Sequence, residues 1–217
     1  MANSTIYWNG NNSSDLPKDI LVDTNVFLNL LSIDDYRKDI SKIFLNHCIN
    51  NNISLYFSGI HESELRHKLM LARTKKYAKD IHNIDYEQVL KYKGPGGYKY
   101  FYEDIEKLDC QSKLIVSGQI NIIIDEIKKV TQLLPANLDS SSFEKLKQLR
   151  QTVPFEVENN DLLAIIHAEE YGINTEVSFD AGLKHINNFN LIKLVPDTTR
   201  VLPSVQAIPF SEGCIYL

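Results

Sequence analysis

"DILVDTNVFLNLLS", residues 19–32, decides the fold class. Ile20, Leu21 and Val22 form a short apolar run that ends on Asp23. Apolar residues then return at helical spacing with Val26, Phe27, Leu28, Leu30 and Leu31. A short run without alternation reads as a strand buried on both faces, and the change of period at 23–25 reads as a strand turning straight into a helix. A carboxylate at that junction can cap the helix by accepting from its free N–H groups. It can equally be the first ligand of a metal site.

The same alternation continues outward. Residues 34–49 read as a helix with Tyr36, Ile40, Ile43, Phe44 and Cys48 inward, and "ISLYFS", 53–58, as a second strand. Residues 61–81 form a long helical stretch without Gly or Pro, and "GPGG", 94–97, breaks the chain. A helix around 119–133 stops before Pro135. Ser141 and Glu144 have capping-box spacing for the next helix, which ends before Pro154. "DLLAIIHAEEYG", 161–172, is a short helix that Gly172 stops, and "TEVSF", 175–179, and "LIKLV", 191–195, are further strands. Residues 1–17 read as loose, with Trp8 pinning them to the body, and the tail from Pro196 shows no period. Short apolar strands alternating with helices predict an α/β fold with a mostly parallel sheet and helices on both faces. In such sheets ligands bind beyond the carboxyl ends of the strands.

The bulk composition narrows the class further. A length of 217 residues and an apolar share of 43% suit one domain with insertions. The net charge of −5 means that any nucleic-acid surface must be local. Cys48, Cys110 and Cys214 are far apart and odd in number, which favours buried thiols in a reducing compartment over disulfides or a zinc knuckle. The first residues lack the apolar core of a signal peptide, and no apolar run approaches the ~18 residues of a membrane span. The chain reads as soluble and cytoplasmic, without a membrane partner.

The acids fall in a pattern on this map. Asp23 ends the first strand, Glu64 lies in an early turn of the helix that leaves the second, Asp161 starts a later helix, and Asp180 follows "TEVSF". The fold class would gather all four at one sheet edge. Four carboxylates in one crevice repel, and a divalent cation relieves the repulsion. Mg²⁺ or Mn²⁺ prefers oxygen ligands and keeps waters, which leaves room for a phosphate oxygen and an activated water, the chemistry of phosphodiester hydrolysis. Each acid alone has a plainer explanation. Asp23 can be an N-cap, Asp161 a first-turn acid beside Asn160, Glu64 a surface partner of Lys68, and Asp180 a turn residue before Gly182. Glu62 competes for the place of Glu64; the two point to opposite sides of a helix, so at most one joins the site.

In this arrangement the chain resembles a PIN domain, the nuclease fold of VapC-type toxins and of many RNA-processing enzymes. "ILVDTNVFLNLL" resembles the first family motif, "YFSGIHESELRHKL" the second, and "NNDLLAIIHAEEYGINTEVSFDAGL" the third and fourth. The resemblance covers residues 19–66 and 154–195. It implies a Rossmann-like three-layer α/β/α fold and a metal-dependent endoribonuclease in which Asp23, Glu64, Asp161 and Asp180 bind Mg²⁺ or Mn²⁺ and cut RNA. It further implies that Asn25 and Ser178 support the acids. The long stretch between Glu64 and Asp161 and the tail depart from compact toxin-like members. Residues 1–18 are then a loose segment, 19–195 the nuclease domain with a helical insertion at roughly 67–150, and 196–217 a tail. Partners in keeping with this reading are RNA, an antitoxin or other protein, and a second copy of the chain.

The substrate would be gripped by the basic stretch. Between 66 and 79 stand Arg66, Lys68, Arg73, Lys75, Lys76 and Lys79 with no acid, and on a helix Lys68, Lys75 and Lys79 share a stripe with Glu64. Tyr77, Tyr86, Tyr92, Tyr98, Tyr100 and Tyr102 follow, as suits stacking of unpaired bases; a solvated helix face with packed tyrosines explains the same residues. Two other functions fit less well. A haloacid-dehalogenase phosphatase opens with a strand and D-x-D, where this chain has Asn25. A catalytically silent RNA- or protein-binding module has no reason to concentrate acids against phosphates. The histidines, His61 among them, read as structural or surface residues.

Overall fold

The computed structural model describes residues 4–10, 16–31, 37–83, 110–154 and 157–196. The elements run β1 (Thr5–Trp8), β2 (Asp19–Val22), α1 (Thr24–Leu31), α2 (Lys38–Asn50), β3 (Ser54–Ser58), α3 (Gly59–His82), α4 (Cys110–Val130), β4 (Gln132–Leu134), α5 (Ser140–Arg150), α6 (Asn159–Glu170), β5 (Thr175–Ser178), a 3₁₀ turn (Gly182–His185) and β6 (Asn190–Leu194). The strands form one six-stranded sheet in the order β1-β6-β5-β2-β3-β4, and each pairing is parallel. This is the expected α/β class, a three-layer α/β/α arrangement.

Burial follows position in the sheet. In β5 all four residues are buried, and in β2 the three apolar ones are, because helices cover both faces of a parallel sheet. Among the described residues β1 and β4 are the outer strands, and each carries at least one exposed position and ends on one buried residue, Trp8 and Leu134. One side of the core gathers Leu21, Val157, Leu162, Ile165, Phe189 and Leu191. Elsewhere Phe27 meets Phe57 and Trp8 meets Phe44, both edge to face with centroids 5.1 Å apart. Among the described residues no helix is long and apolar enough to cross a membrane.

The chain clusters into two compact units. One comprises residues 1–65 and 126–216 and holds the sheet; the other is 66–125. Within the second, α3 contributes its basic part and α4 its first four turns, and Arg66 Nη1 donates to Asn121 Oδ1 at 2.7 Å. Residues 126–150, which the sequence reading assigned to the insertion, cluster with the sheet-bearing unit.

Three local expectations change. Thr5–Trp8 are not loose: they pair in register with Leu191–Leu194, and Trp8 is almost wholly buried. The helix expected to reach residue 133 ends at Val130, and Gln132–Leu134 add strand β4 beside β3. The α5 cap is Asp139, whose Oδ1 accepts from the Ser142 amide at 3.0 Å and from the hydroxyls of Ser141 and Ser142, so the Ser141–Glu144 box is not used. Those bonds to the charged form hold Asp139 below the ordinary carboxylate range. Gly172 does stop α6. Its φ of +76° suits glycine, and Ile173 N–H reaches back to Ala168 O at 3.0 Å in a Schellman closure. The "GPGG" stretch, five of the six tyrosines singled out above, Cys214 and the tail beyond Pro196 lie outside the described residues.

Candidate functional site

The sheet order changes direction at β2. The chain passes from β2 to β3 on one side, while β5 lies on the other, so a crevice opens at the carboxyl end of β2. Asp23 is the first residue past that end. Its N–H donates to Val177 O at 3.1 Å, which extends the ladder by one residue and fixes the direction of its side chain. The carboxylate is 8% exposed. Oδ1 accepts from the Asn25 N–H at 3.3 Å, so Asp23 also satisfies the first turn of α1, and Oδ2 accepts from Ser178 Oγ at 2.5 Å. The helix-cap and site explanations are therefore compatible.

Ser178, at the end of β5, joins the two halves of the crevice. Besides donating to Asp23, its oxygen accepts from Asn25 Nδ2 at 3.0 Å and from the Asp180 N–H at 2.8 Å. Asn25 Oδ1 in turn accepts from the Phe179 N–H at 3.2 Å. Every polar atom of the Asn25 side chain is thus used to tie β5 to α1. Asp180 is exposed, and its Oδ1 accepts from the Gly182 N–H at 2.8 Å, which is the turn role expected of it as a plain loop residue. Asp161 lies in the first turn of α6 and is partly buried.

Gly59 lets α3 start without a linker after β3, because a Cβ there would lie 2.9 Å from the Ala136 backbone nitrogen. Glu64 falls in the second turn, where Oε2 accepts from Thr24 Oγ1 at 3.0 Å. Glu62 turns the other way and pairs with Lys128 Nζ at 3.1 Å. This separates the two competing glutamates: Glu64 faces Thr24 beside Asp23, and Glu62 does not.

Electrostatics reports the same convergence. Burial, then the negative charges of Asp23, Glu64 and Glu158, raise Asp161 from 3.8 to about 7. Burial raises Asp23 as well; the nearby His61 and the Ser178 hydrogen bond oppose the rise. The structure therefore brings Asp23, Glu64 and Asp161 together, with Asn25 and Ser178 as the struts between elements. Lys68, Lys75, Lys79 and Arg66 belong to the 66–125 unit, where Lys68 and Lys79 are exposed and Arg66 and Lys75 half-buried.

Two residues were missed by the sequence reading. Glu176 lies in β5 and is 1% exposed, yet neither of its oxygens receives a hydrogen bond. Burial first, then the charges of Asp23, Asp161, Glu64 and Asp180, raise it well above the ordinary glutamate range. His61, wholly buried in the first turn of α3, holds Nε2 3.6 Å from Glu176 Oε1. One donor atom each from Asp23, His61 and Glu176 lie within 4.8 Å of one another. The sequence carried a faint signal: Glu176 is a charge inside a short segment that reads as a strand, two residues from Ser178 and hence on the same face. His61 left no comparable mark, because a histidine early in a helix is ordinary.

No protein-family model and no curated protein sequence matches the chain. Among solved structures it is similar to VapBC2 from Rickettsia felis bound to a DNA fragment from their promoter. The identity is 15% over 81% of this chain and 98% of the other, with a TM-score of 0.47.

Proposed function

We propose that the chain is a PIN-type, divalent-metal-dependent endoribonuclease that hydrolyses RNA phosphodiester bonds. The observation that carries this reading is the gathering of carboxylates from separate elements, Asp23 after β2, Glu64 in α3 and Asp161 in α6, at the one crevice where the sheet order reverses. Burial first, and then the neighbouring charges of Asp23 and Glu64, disfavour the ionised form of Asp161, and a cation in the crevice would relieve the repulsive part. The donors are oxygens, which suits Mg²⁺ or Mn²⁺. Asp23, Glu64, Asp161 and Asp180 would hold the ion. When bound, it supplies counter-charge for the phosphate and acidity for the attacking water.

The chain's own residues do the rest. Ser178 and Asn25 orient the Asp23 carboxylate, and Thr24 orients Glu64. Arg66, Lys68, Lys75 and Lys79 grip the RNA backbone, the local basic surface that an acidic chain needs for a polyanion. A protein partner of the antitoxin kind, or a second copy of the chain, would cover this basic unit when cutting must be prevented. The test is incubation of the purified chain with a mixed RNA pool in Mg²⁺, in Mn²⁺ and in EDTA, beside the Asp23→Asn variant. Cleavage that needs the metal and disappears in the variant is expected. Binding without cleavage under every metal would leave a silent RNA-binding module instead.

A further inference from the structure

The tightest group of metal-ligating side chains among the described residues is not the four acids read from the sequence. It is Asp23, His61 and Glu176, whose donor atoms lie within 4.8 Å of one another and which are all buried. We propose that this triangle is a deep metal position that shares Asp23 with the acidic crevice and, through the His61 imidazole, takes a first-row transition ion such as Mn²⁺, Fe²⁺ or Zn²⁺ in preference to Mg²⁺.

Glu176 is the independent observation. It is 1% exposed, and neither oxygen receives a hydrogen bond. A buried carboxylate that no hydrogen bond satisfies, and that among the described residues only the His61 Nε2 approaches, at 3.6 Å, is costly, and chains retain one where something else satisfies it. Its backbone place leaves no freedom to escape. Glu176 pairs in register with Leu21 on β2 and Leu191 on β6, so it sits in the middle of the sheet. With Ser178 it shares the face on which Ser178 bonds Asp23, since side chains two apart on a strand lie on one side. His61 meets it from α3, held by its N–H to Ser58 Oγ at 3.2 Å and by its ring against Phe57.

Donor chemistry selects the ion. Neutral imidazole with two carboxylates suits Mn²⁺, Fe²⁺ and Zn²⁺, while Mg²⁺ demands oxygen donors and holds its waters. Around an ion with bonds of about 2.1 Å, donors lie roughly 3–4.2 Å apart, so rotations of three side chains close the present span. The inference stands apart from the nuclease reading, because it concerns which atoms hold an ion and not what is cut.

The test uses the full chain, stripped with EDTA and loaded with one equivalent of Mn²⁺. Pulsed electron paramagnetic resonance on the unmodified protein is expected to show ¹⁴N coupling from a directly bound imidazole. That coupling should vanish in His61→Gln. Titration calorimetry should show Mn²⁺ bound at least tenfold more weakly by His61→Gln and by Glu176→Gln, with the preference for Mn²⁺ over Mg²⁺ narrowed in the first. A bound Mn²⁺ without ¹⁴N coupling, or coupling that survives His61→Gln, overturns the proposal. The coupling in the unmodified protein decides alone if a variant does not fold. Failure of the nuclease reading would look different: no cleavage under any metal, whatever the spectrum.

Discussion

Replacing Asp161 by Asn should make the metal-free protein more stable at neutral pH, although it removes a polar contact in a crevice. In the folded chain this carboxyl titrates at about 7, against 3.8 ordinarily, because burial and then the charges of Asp23, Glu64 and Glu158 disfavour its ionised form. A carboxyl raised in the folded state binds its proton more tightly there than in the unfolded chain. Its contribution to stability is therefore full below about pH 4 and is lost as pH rises through about 7. The gap is roughly three pKa units, which at about 1.36 kcal/mol each gives an upper figure of about 4 kcal/mol. Partial exposure and salt screening reduce this to about 2–4 kcal/mol. Asn keeps the shape and never ionises. Urea unfolding in EDTA from pH 4 to 8.5 should show parent and variant within about 1 kcal/mol at the acid end, separating progressively between about pH 4 and 7 and running level above that, with the variant more stable. Mn²⁺ at a thousand times its Kd, which stabilises a binder by about 4.1 kcal/mol, should favour the parent instead. Stability curves that stay parallel across the whole pH range would refute the reasoning, since Asp161 would then carry no burden of neighbouring charge.

Glu64→Gln should abolish metal-dependent RNA cleavage, whereas Glu62→Gln should keep it and lose at most about 1 kcal/mol with its Lys128 pair; cleavage assays beside denaturation curves separate the two. Ser178→Ala removes the donor to Asp23 and the acceptor for Asn25 and the Asp180 N–H, so about 1–3 kcal/mol of stability should go, read by urea unfolding, together with most of the activity. The triple variant Lys68/Lys75/Lys79→Ala should bind RNA more weakly with a shallower salt dependence, measured across a salt series in Ca²⁺; an unchanged slope would remove the basic stretch from the RNA path. Gly172→Ala should cost about 1 kcal/mol in thermal unfolding, because a Cβ disfavours the φ of +76° at the end of α6.

The alternation of short apolar runs with helical periods was enough to give the α/β class, because both faces of a parallel sheet must be covered and the central β2 therefore reads as an unbroken apolar run from Ile20 to Val22. The junction at Asp23 and the Gly172 stop were equally local, each set by the chemistry of one or two residues. What the sequence could not order was the sheet edge. Thr5–Trp8 is too short and too mixed to announce a strand, and it becomes one only because Leu191–Leu194 offers it an open ladder. The short β4 likewise follows from the free side of β3. At the site, spacing in the chain pointed to the acids but could not say which carboxylates meet. Glu62 and Glu64 are equivalent in composition, and only the placement of Thr24 and Lys128 in space sends one toward the crevice and the other away from it. Glu176 and His61 lie far apart in sequence, and their meeting depends on β5 and α3 being brought to either side of β2. Burial by the completed sheet, a property of the whole fold, is what turns that pair and Asp23 into a closed triangle of donors.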